Sequence, residues 1–126
     1  MAAFRKFEDI LSWQKARAST KSIYQETIRG EFSKDYDLRG QIRRASISIM
    51  ANIAEGFGRN SDKEFANFLN IAHASAYEGQ SHLYIARDLN YISTETFATL
   101  YGQLDEICRM LFSLRKTLLP TKDSTP

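Results

Sequence analysis

Between Met1 and Leu119 no proline interrupts the chain; Pro120 and Pro126 both stand at its C-terminal end. Proline removes a backbone donor and clashes with the preceding turn, so a long proline-free stretch favours long helices. The six glycines are also sparse for 126 residues. With 43% hydrophobic and 25% charged residues, the sequence has the balance of a soluble globular protein and not of a disordered tail. One domain is expected at this length, large enough to bury a core without cross-links. The single cysteine, Cys108, excludes an intrachain disulfide and fits a reducing, cytoplasmic setting. The N-terminal residues lack the apolar run of a signal peptide, and no 18-residue apolar stretch suggests a membrane span.

Four helices can be read from caps and periodicity. The first runs from about Glu8 to Ile28 and stops near Gly30. The second starts near Asp35 or Asp37 and closes around Gly56 and Gly58 at about Phe57. The third opens on Ser61-Asp62-Lys63-Glu64, which has the form of a capping box, and continues to about Asn90. The fourth begins at Ser93, with Glu95 in its first turn, and ends before Pro120. Residues 1–120 then form the bundle and 121–126 a polar tail. Short connections force neighbours antiparallel, so the expected fold is all-α, an up-down-up-down antiparallel four-helix bundle.

The apolar spacing assigns faces to these helices. Phe97, Leu100, Tyr101, Leu104, Ile107, Cys108, Leu111, Leu114 and Leu118 make one stripe on the fourth. Cys108 within it reads as a small buried hydrophobe, not a nucleophile. Phe65, Phe68, Leu69, Ala72, Ala76, Gly79, Leu83 and Ala86 line the third, whose small residues permit close approach of a neighbour. The second helix carries two sectors. Leu38, Ile42, Ala45, Ile49 and Ile53 form one; Ile47, Met50, Ala54 and Phe57 form another more than about 90° away, at about 100° per residue. A helix that is apolar on two sides is either central in its own bundle or pressed against another subunit; since every helix of a four-helix bundle has one outer side, the second sector is expected to meet another subunit. Glu78, between Ile71 and Ile85, is expected at the same kind of interface, where a carboxylate needs an arginine or hydroxyl partner. Tyr77 and Tyr84 stand seven apart, with His73 nearby, on the outer side of the third helix.

Signals for catalysis are weak. His73 and His82 are out of phase on their helix and do not share a metal; Glu78 and His82 can meet as a surface pair. Phosphate-loop, zinc-protease and nucleophile-elbow motifs are missing, so neither enzyme activity nor a metal or other cofactor is expected. Charge permits a basic face, although ordinary solvated helix surface accounts for the same pattern. The net charge is only +2, but residues 1–60 carry a balance of +4 and residues 61–126 one of −2. Lys15, Arg17, Lys21, Arg39, Arg43, Arg44, Arg59 and Lys63 are therefore the candidates for phosphate contact with RNA or DNA. Arg39 and Arg43 share a side and Arg44 points about 100° away, at about 100° per residue. The alternative for these arginines is an ion pair with Asp37, Glu55 or Glu78.

The segment Phe7-Glu-Asp-Ile-Leu-Ser-Trp13-Gln-Lys15-Ala16 resembles the opening of the bacterial four-helix-bundle proteins named after 23S ribosomal-RNA intervening sequences. Gln41-Ile-Arg43-Arg44-Ala45-Ser-Ile-Ser48-Ile and Asn52-Ile-Ala-Glu55-Gly56-Phe-Gly58-Arg59 resemble that family's most distinctive motif. Lys63-Glu64-Phe65, Phe68-Leu69, Ile71-Ala72, Ser75, Glu78 and Leu83 follow its third helix, and Asp88-Leu89 with Tyr91-Ile92-Ser93 its last turn and loop. Met50-Ala51 replaces the usual Pro-Ser, and Gln80 stands where a second glutamate is common. The resemblance implies a bundle assembled as a homopentamer with a central channel. It also implies kinship with the accessory variability proteins of diversity-generating retroelements, which bind nucleic acid and a reverse transcriptase. The functional expectation is a non-enzymatic, homo-oligomeric nucleic-acid binder; the alternative is a protein-interaction scaffold or accessory subunit.

Overall fold

The computed structural model describes residues 4–119, and the polar tail expected at 121–126 lies outside them. A 3-10 turn, Phe7–Asp9, precedes α1 (Leu11–Thr27); a second, Gly30–Lys34, precedes α2 (Tyr36–Phe57); α3 (Asp62–Asp88) and α4 (Thr94–Leu118) follow. Each helix packs on its chain neighbours and α4 closes back on α1. The α2–α3 seam is the broadest and the α1–α4 seam the thinnest. The topology is the antiparallel up-down-up-down bundle.

Local chemistry explains most of the boundaries. Asp35, Ser61 and Ser93 each accept a bond from the backbone N–H three residues on, that of Leu38, Glu64 and Thr96 respectively. The first helix departs from expectation, since it starts at Leu11 and not at Glu8. Asp9 turns back to accept from the N–H groups of Arg5 and Lys6 at 3.0 and 3.3 Å, and Ile10 is extended. The acidic residues that suggest a helix start thus belong to a separate turn. The third helix also stops earlier than Asn90, which itself takes a positive φ of 61°. There the N–H of Tyr91 donates to Ala86 and that of Asn90 to Arg87, both at 2.9 Å, a Schellman ending. Tyr91 stacks on Phe32, and its hydroxyl donates to Asp35 Oδ2 at 2.9 Å, joining the start of α2 to the α3–α4 turn.

The core is the expected one except that Phe68 of α3 and Tyr101 and Leu114 of α4 are only half-buried. Leu38, Ile42, Ala45, Ile49 and Ile53 of α2 are all buried, as are Leu69, Ala72, Ala76 and Leu83 of α3 and Leu100, Leu104, Ile107 and Leu111 of α4. α2 continues through Met50 and Ala51 without a break, as the missing proline predicts. Two close approaches fix the register. A Cβ on Gly56 would lie 2.6 Å from Phe68 Cβ, and one on Gly79 would lie 3.1 Å from Leu104 Cδ1. The bond between the Ser48 and Ser75 hydroxyls, 2.8 Å long, repeats the α2–α3 alignment two turns away. Gln80 is buried and donates to the Tyr101 carbonyl at 3.4 Å, so the position supports α3–α4 packing with a neutral amide.

Gly56→Ala should therefore lose about 1–2 kcal/mol in urea unfolding, because the overpacking outweighs the helix propensity gained. At Gly102 an added Cβ meets nothing within 4 Å. Gly102→Ala should instead gain about 0.5–1 kcal/mol.

Candidate nucleic-acid interface

The eight candidate cations do not form one patch. Their grouping follows from the α1–α2 register, set by the bond from Thr20 Oγ1 to the Ser46 carbonyl and that from Arg43 Nε to Thr27 Oγ1. On the outer side of this seam stand Arg17 and Lys21 from α1 with Arg39 and Arg43 from α2. The register brings Lys21 to the level of Ile47 and Arg17 to that of Met50.

The arginines here are held by neutral groups. Arg43 spends one of its five N–H donors on Thr27 at 2.8 Å and lies 4.3 Å from the Tyr24 ring centroid. Arg39 donates to the Ser33 carbonyl at 2.6 Å and lies 4.6 Å from the ring of Tyr36. Arg17 stands 5.9 Å from the ring of Trp13. Arg43 therefore does not pair with Asp37, Glu55 or Glu78, the carboxylates considered for it; its partners are a hydroxyl and an aromatic ring. Among the described residues no carboxylate lies within ion-pair distance of Arg17, Lys21, Arg39 or Arg43. The result is a row of positive charge in which Arg39 and Arg43 are held by hydrogen bonds and keep further N–H donors free.

The other four candidates lie elsewhere. Lys15 sits on the α1–α4 seam, 3.7 Å from Glu106. Arg59, after α2, pairs with Glu55 at 2.8 Å and lies 4.7 Å from the Phe68 ring. Lys63 is exposed in the first turn of α3. Arg44 is exposed on the α3 side of α2, its guanidinium over Gly40.

The interface candidates also divide. Ile47, Met50, Ala54 and Phe57 all lie on the α1 side of α2. Met50 and Phe57 are half-buried against the subunit's own core, which also takes in Phe4, Phe7 and Trp13. Ala54 is half-buried and Ile47 exposed. This sector is thus partly covered within one chain and shares its face with the cations. Glu78 lies on the opposite flank, the outer α2–α3 side, and meets His82 Nε2 at 3.5 Å. It is bracketed by Ile71 and Ile85, which are 48% and 45% exposed.

The α3–α4 seam carries aromatic groups. Tyr84 packs on Phe97 and Tyr101 with centroids 4.9 and 5.9 Å away, and Arg87 lies 4.5 Å from the Phe97 ring. Burial and Arg115 hold His73 below its ordinary pKa, and its ring lies 4.8 Å from that of Tyr77. Cys108 is buried beneath this seam, and burial, reinforced by Asp105, pushes its thiol up to about 11. No three His, Cys, Asp or Glu side chains among the described residues are placed to hold a metal ion. No described helix is long and apolar enough to cross a membrane.

Trp13, Tyr24 and Tyr36, as well as the anchors Thr27 and Ser33, are absent from the sequence-based site. Trp13–Arg17 and Tyr36–Arg39 were recoverable from helical spacings of four and three. Tyr24–Arg43 was not, because it depends on how two helices align.

The family model described as 23S rRNA-intervening sequence protein matches residues 8–113. Among solved structures, a protein of unknown function from the S23 ribosomal protein family of Bacteroides thetaiotaomicron is 29% identical, with a TM-score of 0.76 over 83% of this chain and 98% of that one. No curated protein matches the sequence.

With so high a pKa, Cys108 should resist a thiol reagent at pH 8 in the native protein and react fully in denaturant. Rapid native labelling, measured by mass, would contradict its burial.

Proposed function

Since the chain belongs to the 23S rRNA-intervening sequence protein family, we propose a function for it that rests on the α1–α2 face: a non-enzymatic, homo-oligomeric bundle that binds the phosphates of RNA or DNA. One observation carries this reading. Arg17, Lys21, Arg39 and Arg43 share a face, and the arginines are positioned by neutral partners that leave their charge uncompensated. A cation already paired with a carboxylate gains little from a phosphate; these four gain the whole interaction, with release of condensed counterions. Such contacts position a strand without reading its bases. The buried, neutral thiol of Cys108 is no nucleophile, which favours a binding role over thiol catalysis. A single reduced thiol suits the cytoplasm.

Assembly and nucleic-acid binding need different surfaces. If the Ile47 sector met another subunit, the cations beside it would be covered. We therefore place the subunit contact on the outer α2–α3 flank, where Ile71 and Ile85 bracket Glu78. Arg44 on the same flank has no carboxylate partner among the described residues, and it is the cross-subunit group that Glu78 would need. A pentamer, the assembly implied by the family resemblance, repeats the cationic face around a ring, so modest sites add.

A second reading has its own support. Tyr77 and Tyr84 are exposed along an aromatic seam remote from the cations. Such a surface suits a protein partner, and the chain would then act as an accessory subunit, for instance of a reverse transcriptase.

Two measurements test the proposal. Four phosphate contacts give a log–log salt dependence of binding with a slope of about −3 on single strands and nearer −4 on duplex. Arg43→Ala should lower affinity for all sequences alike and reduce that slope by about one unit. A flat salt response refutes phosphate binding. Light scattering on Ile71→Asp should show single chains where wild type forms a ring; an unchanged ring would move the interface off this flank.

A further inference from the structure

The rings beneath the arginines indicate which form of nucleic acid the face takes. This inference rests on the phosphate-binding reading above. Duplex phosphates can be met by charge alone, and paired bases stack on each other and present no free face. A single strand offers unstacked bases, and proteins that bind it without sequence preference combine a basic track with aromatic side chains on which bases lie.

The α1–α2 face has both parts. Trp13, Tyr24 and Tyr36 each stand beside an arginine, at 5.9, 4.3 and 4.6 Å. Tyr36 is 72% exposed and Tyr24 39%. Trp13 and Tyr24 are separated by about 16 Å along α1, and Arg43 and Tyr36 by about 10 Å along α2, at a rise of about 1.5 Å per residue. Tyr24 and Arg43 sit side by side, so the three pairs follow the seam in one line. Exposed Ile28 and Ile47 lie on the same side and supply apolar contact that a duplex surface would leave unused. The aromatic seam between α3 and α4 also carries an arginine, Arg87 over Tyr84 and Phe97, but there the rings pack on each other and Asp105 lies beside Tyr101. We infer that the α1–α2 face binds single-stranded nucleic acid, with bases on Tyr36 and Tyr24 and phosphates on Arg39, Arg43, Arg17 and Lys21.

Fluorescence anisotropy with labelled oligo(dT), labelled oligo(U) and a DNA duplex of equal length, at one low salt concentration, tests this. Both single strands should bind about tenfold or more tighter than the duplex, and Tyr36→Ala should weaken single-strand binding roughly fivefold or more, a larger loss than for the duplex, which feels only the looser hold on Arg39. Tyr24→Leu, which keeps an apolar side chain beside Arg43, should act in the same direction; circular dichroism checks that both variants keep their helices. A preference for oligo(U) would point to contacts with the 2′-hydroxyl, and equal binding to stacking alone; either supports the inference. Equal affinity for duplex and single strands, or two tyrosine variants with wild-type affinity, overturns it and leaves the phosphate reading standing. Failure of wild type to bind any of the three probes overturns both.

Discussion

The helix spacing along the α2–α3 seam is set by a missing atom. Where Gly56 crosses Phe68 the backbones are too close for any Cβ on α2, and that contact holds α3 at a fixed height and rotation. Gly79 against Leu104 repeats the device between α3 and α4. With α3 placed between its two neighbours, the apolar stripes of α2 and α4 both face inward, and the outer sectors fall where they do. Close packing of this kind makes the arrangement discrete, since a helix cannot slide by a fraction of a turn without a collision.

The face proposed for nucleic acid inherits its order from that packing. Arg43 is useful because Thr27 and Tyr24 hold it without neutralising it, and they are in reach only because α1 lies antiparallel to α2 in one register. An arginine tied to a glutamate would be equally rigid but electrostatically spent. An untied lysine would keep its charge and lose side-chain entropy on binding. Neutral anchoring avoids both costs.

Much of the fold was legible in the residues. Asp35, Ser61 and Ser93 announce their helices because capping is a local bond. The single stripe of α4 and the first sector of α2 name their buried faces correctly. The start of α1 was not legible, because Glu8 and Asp9 suit a helix N-terminus and a separate turn equally; the deciding event is the Asp9 carboxylate folding back on Arg5 and Lys6. For the second sector of α2, angles along one helix show which side is apolar and not what covers it. Met50 and Phe57 turn out half-covered by the chain itself. The cations were recognisable as a set, but their division into one row and four separate residues is tertiary information.

The unequal seams have a kinetic consequence. α1 meets α4 along the thinnest contact in the bundle, its N-cap residue is Ile10, which supplies no side-chain bond, and the ion pair that bridges the two helices is solvent-exposed. Of the four helices it is the one whose detachment disturbs least packing, so its amides open to solvent through excursions smaller than global unfolding. The cationic row lies half on this loosely held helix and half on α2. A strand laid across both would act as a strap, slowing those excursions by its own binding free energy.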